Sequence, residues 1–333
     1  MGPLLLLFQS FVFPSGVILA PNGDILLADR GAHQVFRIDS AGNARAIIGT
    51  GTAGFAGDGG PAATALVNAP EWLAWAPNGD LILADRGNHR VRRIDARSGI
   101  ITTIAGNGTN THSGDDGPAF AAGITNPFGL LFGRDGSLLI FDTESHTIRR
   151  VDLTSGTITT VIGNTQQGFS GDGGPATRAM LYRPHNGVLD PDGNLVFGDS
   201  FNQRIRRWDP RTGIITTMAG TGERGSSPTG TRALDASFSF FGAMAYTREG
   251  TLVFTSLDNR ILAIDRSGVL RVIAGTGVAG FGGDGGPATA ARLSMPYGLA
   301  IAPNGDLIFA DASNRRIRRI DARTGVIRTI SGG

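Results

Sequence analysis

Short apolar runs alternate with polar turns along the whole chain, and they return at a nearly constant interval. Five of the runs end in aspartate, as in LLAD, ILAD, LIFD, VFGD and IFAD, and one ends as LVFT. The residues that close the runs are Asp29, Asp85, Asp142, Asp199, Thr255 and Asp311, which stand 56, 57, 57, 56 and 56 residues apart. A long fixed period is typical of repeat architectures. The pattern therefore predicts six copies of one structural unit.

Each unit contains four short segments with strand character. In the second repeat these are Trp72–Ala76, Leu81–Asp85, Val91–Asp95 and Ile100–Ile104. Asn-Gly, Asp-Gly and Ser-Gly pairs stand between such segments, and they are typical of hairpin turns. Four antiparallel strands repeated six times predict an all-β fold, a six-bladed β-propeller.

The connections between blades carry the one helical signal in the sequence. After each Gly-Asp-Gly-Gly-Pro comes an Ala-rich segment, such as Pro175–Leu181 or Pro287–Leu293. A proline at the first helical position suits a short helix. These segments join the fourth strand of one blade to the first strand of the next, so we expect short helical turns in loops on the top face of the disc. Residues 14–333 are predicted to form one propeller, with residues 1–13 as an N-terminal extension.

The composition excludes some catalytic mechanisms but says less about binding partners. The chain has no Cys, and all thirty of its Lys and Arg residues are Arg, which excludes thiolate and Schiff-base mechanisms. Its formal net charge of +2 does not favour nucleic acid or an acidic membrane. No apolar run is long enough for a membrane span, and the start lacks a basic signal-peptide region. The cellular location is therefore not predicted, and a secreted native form stays open.

The repeat resembles the NHL-repeat family, in its bacterial form with a GDGGPA insertion. The resemblance rests on PNGDL followed by ADRGNHRVRRID, on RIRRWD and RIRRID, and on fourth strands that read TIAG or TVIG. It covers residues 14–333 and implies a six-bladed propeller. Blade five departs from it, because Gly225–Phe241 lacks GDGGPA and Thr255 replaces the aspartate.

Three recurrent motifs are better explained by the scaffold than by a site. The GDGGPA aspartates suit either calcium or turn and helix capping, and their recurrence favours capping. The Arg-rich third strands would form a ring around the disc, so we expect pairing with recurrent aspartates rather than RNA contacts. The histidines His33, His89 and His146 share one turn position and cannot converge on one metal. The aspartates in question are Asp58, Asp116, Asp172 and Asp284 in the insertions, and Asp85, Asp95, Asp199 and Asp209 beside the arginines.

One position differs from blade to blade, directly after the residue that opens each inner strand at the top of the channel. It holds Ser15, Glu71, Phe128, His185, Gly242 and Tyr297. The following position holds Gly16, Trp72, Gly129, Asn186, Ala243 and Gly298. The two positions give one mouth a carboxylate, an imidazole, an amide, a phenol and aromatic walls, as in a small-molecule site. A rim that only seals the channel is the alternative.

A second, more distant resemblance points to chemistry at this rim. Arg183–Gly187 followed by Asp190–Gly193 is similar to a stretch of the gluconolactonase and paraoxonase group, which holds calcium there with Glu, Asn and Asp. The peptidyl-hydroxyglycine amidating lyase propellers have His ligands at the same rim. The resemblance implies one divalent metal ion, calcium or zinc, on Glu71 and His185, although the ligand set is incomplete and a metal-free site stays open.

The sequence therefore supports three functional hypotheses of decreasing weight. The first is a hydrolase for a small ester, lactone or phosphotriester. In it His185, Glu71 and Tyr297 are catalytic, Asn186, Trp72, Phe128 and Ser15 bind substrate, and no organic cofactor is expected. The alternative is a non-catalytic scaffold that binds a protein or glycan through top-face loops such as those of Phe169 and Phe281. A monomer is expected in either case, and RNA binding is the third and weakest hypothesis.

Overall fold

Each repeat folds as four antiparallel strands that run from the channel outwards, so the predicted all-β, six-bladed β-propeller is confirmed. The structure, a computed structural model, describes residues 10–333, and the first nine residues of the predicted extension lie outside this part. The strands of blades one and two are β1 (Pro14–Leu19), β2 (Ile25–Asp29), β3 (Gln34–Ile38), β4 (Ala44–Ile48), β5 (Pro70–Trp75), β6 (Leu81–Asp85), β7 (Arg90–Ile94) and β8 (Ile101–Ala105). Those of blades three and four are β9 (Gly117–Pro118), β10 (Pro127–Phe132), β11 (Leu138–Asp142), β12 (Thr147–Asp152), β13 (Thr157–Ile162), β14 (Pro184–Leu189), β15 (Leu195–Asp199), β16 (Arg204–Asp209) and β17 (Ile214–Ala219). Those of blades five and six are β18 (Phe241–Tyr246), β19 (Leu252–Ser256), β20 (Arg260–Ile264), β21 (Leu270–Ala274), β22 (Pro296–Ile301), β23 (Leu307–Asp311), β24 (Arg316–Ile320) and β25 (Ile327–Gly332).

Within residues 10–333 the ring closes without exchanging a strand between the first and last blades. Every sheet is built from consecutive strands, and the inner strand β22 packs against β1. Side chains hold the seam between blades six and one. Phe11 is fully buried and packs edge-on against Phe36 with ring centroids 5.6 Å apart, and the Ser331 hydroxyl donates to the Gly42 carbonyl at 2.9 Å.

Each GDGGPA insertion begins near the top of one blade and reaches across the outer strand of the next. In blade two Pro61 bridges to Ile100 beside β8, and in blade three the corresponding residues form the two-residue strand β9 on β13. A single 3-10 turn, Ala62–Thr64, then leads back, and Ala62 is buried between the blades. The helical turns expected after the prolines are thus confirmed, at one turn each. The 3-10 turns of the described residues are Ala62–Thr64, Arg86–Asn88, Ala119–Ala121, Thr143–Ser145, Ala176–Arg178, Ser200–Asn202, Ala233–Asp235, Ala288–Ala290 and Ala312–Asn314, and none has the length and apolarity that a membrane crossing needs.

A buried arginine links two aspartates inside a blade. Arg92 is fully buried, 3.0 Å from Asp85 and 2.5 Å from Asp58 of the insertion. Asp58 also accepts from the Thr103 hydroxyl at 2.6 Å, and the turn at Ala62 has no side-chain cap. The insertion aspartate is therefore an arginine partner here, and the capping prediction was wrong. In blade three Asp115 pairs with Arg149, while Asp116 accepts from the Thr159 hydroxyl at 3.2 Å and caps no helix. The same ladder recurs as Arg206 with Asp199 and Asp172, and as Arg318 with Asp311 and Asp284.

Two of the aspartates expected to pair with the third strands stabilise the next turn instead. Asp95 accepts from the backbone and hydroxyl of Ser98, both at 2.8 Å. Asp209 accepts from the backbone N–H of Arg211 at 2.9 Å. The histidines of the shared turn position are turn residues, as predicted: His33, His89 and His146 have φ of 54°, 55° and 59°.

In blade five the residue at the recurrent aspartate position lies one place further along the chain than the sequence predicted. Phe241 pairs with Ser256 as Pro184 pairs with Asp199, so Ser256 and not Thr255 takes the aspartate position. Thr255 instead accepts from the Ala243 N–H at 2.9 Å and donates to the Tyr297 carbonyl at 2.6 Å. It thereby joins blades five and six at the channel wall.

Candidate functional site

The six rim positions converge because every inner strand starts with a bulge. The register between the first two strands shifts after Pro70 in blade two, and it shifts at the equivalent place in the other blades. A bulge re-aims the side chains next to it. As a result Phe128 of blade three reaches Tyr297 of blade six, with ring centroids 6.2 Å apart.

The contact between Phe128 and Tyr297 closes the channel below the mouth. These residues come from opposite blades, and each has only 5% of its surface exposed. A cavity of about 340 Å³ lies further along the channel, and its lining includes Trp72, Leu130 and Met244 but neither Glu71 nor His185. The two rings therefore form the floor of a shallow site at the top face.

Three of the predicted substrate-binding residues do not face this shallow site. Trp72 lines the lower cavity. Ser15 is fully buried, and its hydroxyl donates to the Ala28 carbonyl at 3.0 Å. Asn186 is also buried, and its Oδ1 accepts from the Gly187 N–H at 2.8 Å while its Nδ2 has no partner within residues 10–333. Of the four, Phe128 alone belongs to the mouth.

Glu71 binds two arginines on neighbouring blades. It is fully buried, and its Oε2 accepts from Arg86 Nη1 at 3.1 Å and lies 3.5 Å from Arg30 Nη1. Burial raises the pKa of Glu71, while the two guanidiniums act to lower it. Because both arginines hold Oε2, Glu71 positions them, while its buried Oε1 has no hydrogen-bond partner within residues 10–333.

Arg30 and Arg86 were missed in the sequence, although a signal for them exists. They follow the recurrent aspartates Asp29 and Asp85, and the same place in the other blades holds Thr143, Ser200, Leu257 and Ala312. The scaffold thus has no need for arginine there. Arg30 lies 3.8 Å from the Phe13 ring, and Arg86 lies 5.4 Å from the Phe128 ring.

His185 is held in one orientation and kept neutral. Its ring stacks on Phe128 with centroids 4.5 Å apart, and its Nδ1 lies 3.4 Å from the Phe241 carbonyl. Burial, together with the charges of Arg86, Arg183 and Arg30 and against the effect of the Phe241 carbonyl, lowers the pKa of His185 from 6.5 to about 4. Since a carbonyl can only accept, Nδ1 carries the proton and Nε2 is left as a lone-pair base.

Tyr297 is a neutral member of the same cluster. Burial raises its pKa well above the usual value, and the nearby Glu71 carboxylate raises it further. The ring also lies 6.1 Å from that of Phe13, edge-on. Tyr297 therefore remains a phenol at all ordinary pH values and serves here as part of the floor.

Comparison with known proteins identifies the family. The profile of the SMP-30/Gluconolactonase/LRE-like region matches residues 69–332. The chain belongs to this family. It is also 26% identical over 327 residues to Protein SUPPRESSOR OF QUENCHING 1, chloroplastic, of Arabidopsis thaliana, across 95% of this chain and 26% of that protein. It is 26% identical over 280 residues to NHL repeat-containing protein 2 of Bos taurus, across 75% of this chain and 38% of that protein.

The curated relatives are longer than this chain, and the solved structures share its fold. It spans between about a quarter and two fifths of the length of the curated relatives it matches first, at 26% and 38%. A gluconolactonase from Xanthomonas campestris superposes with a TM-score of 0.60 at 13% identity, across 92% of this chain and 85% of that one. At this identity the likeness shows the fold alone. The predicted kinship with NHL repeats and gluconolactonases is thus confirmed.

The SMP-30/gluconolactonase/LRE-like family implies a divalent metal ion, but the rim does not suit one. Within residues 10–333 no three His, Asp or Glu side chains lie close enough together to hold an ion. Glu71, the carboxylate of the six rim positions, is engaged by Arg30 and Arg86, whose charges would repel a cation. A transition metal or calcium needs several anionic or imidazole ligands. The expected set of Glu71 and His185 therefore does not fit a metal.

Proposed function

We propose that this protein is a metal-independent, lactonase-type hydrolase that acts at the top-face mouth of the channel. The observation that carries the proposal is the orientation of His185, which offers an unprotonated Nε2 beside two arginines. Membership of the SMP-30/gluconolactonase/LRE-like family supports hydrolysis of a small lactone or ester. Phe128 and Tyr297 form the apolar floor on which such a substrate would rest.

The residues supply a general base and a positive field. His185 Nε2 takes a proton from water, whose oxygen attacks the carbonyl carbon and moves an electron pair onto the carbonyl oxygen. Arg30 and Arg86 stabilise this oxyanion by their charge, and Glu71 orients them. When the C–O bond breaks, the leaving alkoxide takes the proton back from Nε2. A lactone thereby becomes a hydroxy acid.

A panel of lactones and activated esters, assayed in EDTA, tests the proposal. We expect His185→Ala to lower kcat/KM at least a hundredfold, as removal of a general base does. His89→Ala is the matched control, because His89 is a turn residue whose Nδ1 lies 2.6 Å from the Thr125 carbonyl. Full activity in His185→Ala, or activity that EDTA abolishes and a divalent metal restores, would contradict this mechanism.

A non-catalytic binding propeller is the second candidate, and the closed floor favours it. Because Phe128 meets Tyr297, the mouth is shallow, as on a recognition surface. Phe169 and Phe281 are 38% and 46% exposed and lie 3.8 Å and 4.0 Å from Arg204 and Arg316. Turnover of no substrate in the panel, together with capture of a protein or glycan that Phe169→Ala and Phe281→Ala abolish, would favour this function.

A further inference from the structure

The mouth carries more positive charge than its ion pairs neutralise. Arg183 is paired with Glu144 at 2.8 Å. The single Glu71 carboxylate faces both Arg30 and Arg86, so one positive charge remains uncompensated among these five residues. Burial also favours the neutral form of Glu71, which would raise the excess further.

The two arginines keep donors that have no partner among residues 10–333. Within residues 10–333 Arg30 hydrogen-bonds only through Nη1, and Arg86 through Nη1 and Nε. The other N–H groups are free to donate, and the side chains keep 28% and 31% of their surface exposed. A guanidinium presents its donors in a planar fork that matches a carboxylate.

The chain itself shows that these arginines are not part of the blade scaffold. The same position holds Thr143 and Ser200 in blades three and four, and Leu257 and Ala312 in blades five and six. Those blades form the same four strands without arginine there. Arginine on two adjacent blades, aimed at one buried carboxylate, therefore has a purpose at the mouth rather than in the sheet.

We infer that Arg30 and Arg86 form a binding site for the carboxylate of a small hydroxy acid, the product class of the reaction proposed above. The inference rests on that proposed function for the hydroxy acid and on the arginine pair for the carboxylate. A monoanionic carboxylate balances the single excess charge that is present while Glu71 is ionised, and its two oxygens match the planar fork of a guanidinium. The site that stabilises the oxyanion thus retains the acid, and the product inhibits the enzyme.

Binding of 4-hydroxybutanoate, compared with the neutral 4-hydroxybutanamide, tests the inference without turnover. By calorimetry at low salt we expect the acid to bind and the amide to bind at least tenfold more weakly. Arg30→Gln and Arg86→Gln should each weaken binding of the acid at least tenfold. Arg315→Gln is the matched control, since Arg315 is an exposed arginine in a top-face turn of blade six, and it should bind as the wild type does.

The outcomes separate this inference from the proposed function. Equal binding of acid and amide, or unchanged binding in both mouth variants, overturns the carboxylate site even if lactones are hydrolysed. An equal loss in Arg315→Gln also overturns it, because the effect would then come from general charge. If the protein binds the acid selectively but hydrolyses no lactone or ester, the carboxylate site is supported and the proposed hydrolase function is contradicted.

Discussion

Protonation of His185 makes the stability of the folded chain depend on pH. In the folded chain its pKa of about 4 lies below the ordinary 6.5, so the folded state favours the neutral ring. Asp199 acts in the opposite sense, because burial raises its pKa to about 6 and the folded state favours its protonated form. The effect of His185 therefore has to be isolated by comparison with a variant.

We predict that replacing His185 by Gln reduces the loss of stability in acid. Between pH 6.5 and 4 the unfolded chain binds more protons at this residue than the folded chain does, so the unfolding free energy of the wild type falls as pH falls. A shift from 6.5 to about 4 corresponds to at most about 3 kcal/mol. Urea unfolding at both pH values measures it. An identical pH dependence in His185→Gln would show that the histidine is not held neutral.

Thr255 offers a second prediction at the level of one side chain. In Thr255→Val the Tyr297 carbonyl and the Ala243 N–H lose their shared partner inside the wall. An unsatisfied buried polar group costs about 1–3 kcal/mol, and we expect a loss of unfolding free energy in that range. Thr255→Ser keeps the hydroxyl and should lose less. Equal losses in the two variants would mean that packing, not hydrogen bonding, explains the residue.

Within the blade, the Asp–Arg–Asp ladder is the element that ties an insertion to its sheet. Arg92 has no exposed surface and connects Asp85 of β6 to Asp58, which precedes Pro61 on the outer edge. Blade five lacks this ladder. Ser256, Leu262 and Thr229 stand there at the positions that Asp85, Arg92 and Asp58 occupy in blade two. It folds as the same four strands, so a neutral ladder is compatible with the blade.

We predict that Arg92→Leu destabilises blade two and that a second change recovers part of the loss. The single variant leaves Asp85 buried with its charge unpaired, which costs about 3–5 kcal/mol. In Asp85→Ser/Arg92→Leu the charge is gone, as in blade five, and the unfolding free energy should rise again. Urea unfolding of both variants and of Asp85→Ser alone measures this. A double variant as unstable as the two single losses combined would contradict the ladder as the cause.

The elements were predictable to the extent that they repeat. The period and the turn dipeptides indicate four strands in each blade, because every copy reports the same hydrophobic alternation. The aspartate of blade five was misplaced because Ser256 lies one residue beyond the regular interval, and only the pairing with Phe241 reveals it. Trp72 was assigned to the mouth because a bulge changes which face a side chain takes, and alternation along a strand does not show bulges.

The site was harder to predict than the fold for a physical reason. Convergence of Glu71, Phe128, His185 and Tyr297 follows from ring geometry and could be inferred. The partners of Glu71 could not, because Arg30 and Arg86 lie in turns next to a recurrent aspartate and look like scaffold. Their long side chains extend to the channel from turns outside the inner strands, and the spacing of residues in the sequence does not show this.

Six interfaces between neighbouring blades hold the molecule as a ring. The interface between blades six and one, the seam, is packed differently from the one between blades one and two. Where Ala62 and its 3-10 turn fill the space between blades one and two, Phe11 and Phe36 fill the seam between blades six and one. Phe36 stands where other blades have the buried arginine of the ladder, as the pairing of Leu27 with Phe36 and of Leu83 with Arg92 shows. The seam therefore depends on apolar packing alone at this place.

We predict that Phe11→Ala opens the ring at the seam. Removing a fully buried phenylalanine costs about 3–5 kcal/mol, and hydrogen exchange should accelerate first in β3, β4 and β25. Phe238→Ala is the control, since Phe238 is equally buried but packs with Phe241 and Phe254. That variant should accelerate exchange in blade five instead. Exchange that rises uniformly around the disc in Phe11→Ala would mean that the blades unfold as one cooperative unit.

Because each blade is made of consecutive strands, the chain could be opened at any connection between blades without dividing a sheet. Within residues 10–333 no strand is exchanged across the seam, so each of the five connections between blades joins two complete sheets. Joining the ends through a linker and opening the chain in the insertion before β14 would give a circular permutant with the same six sheets. In that permutant the arginine pair and His185 would keep their geometry while their order along the chain reversed.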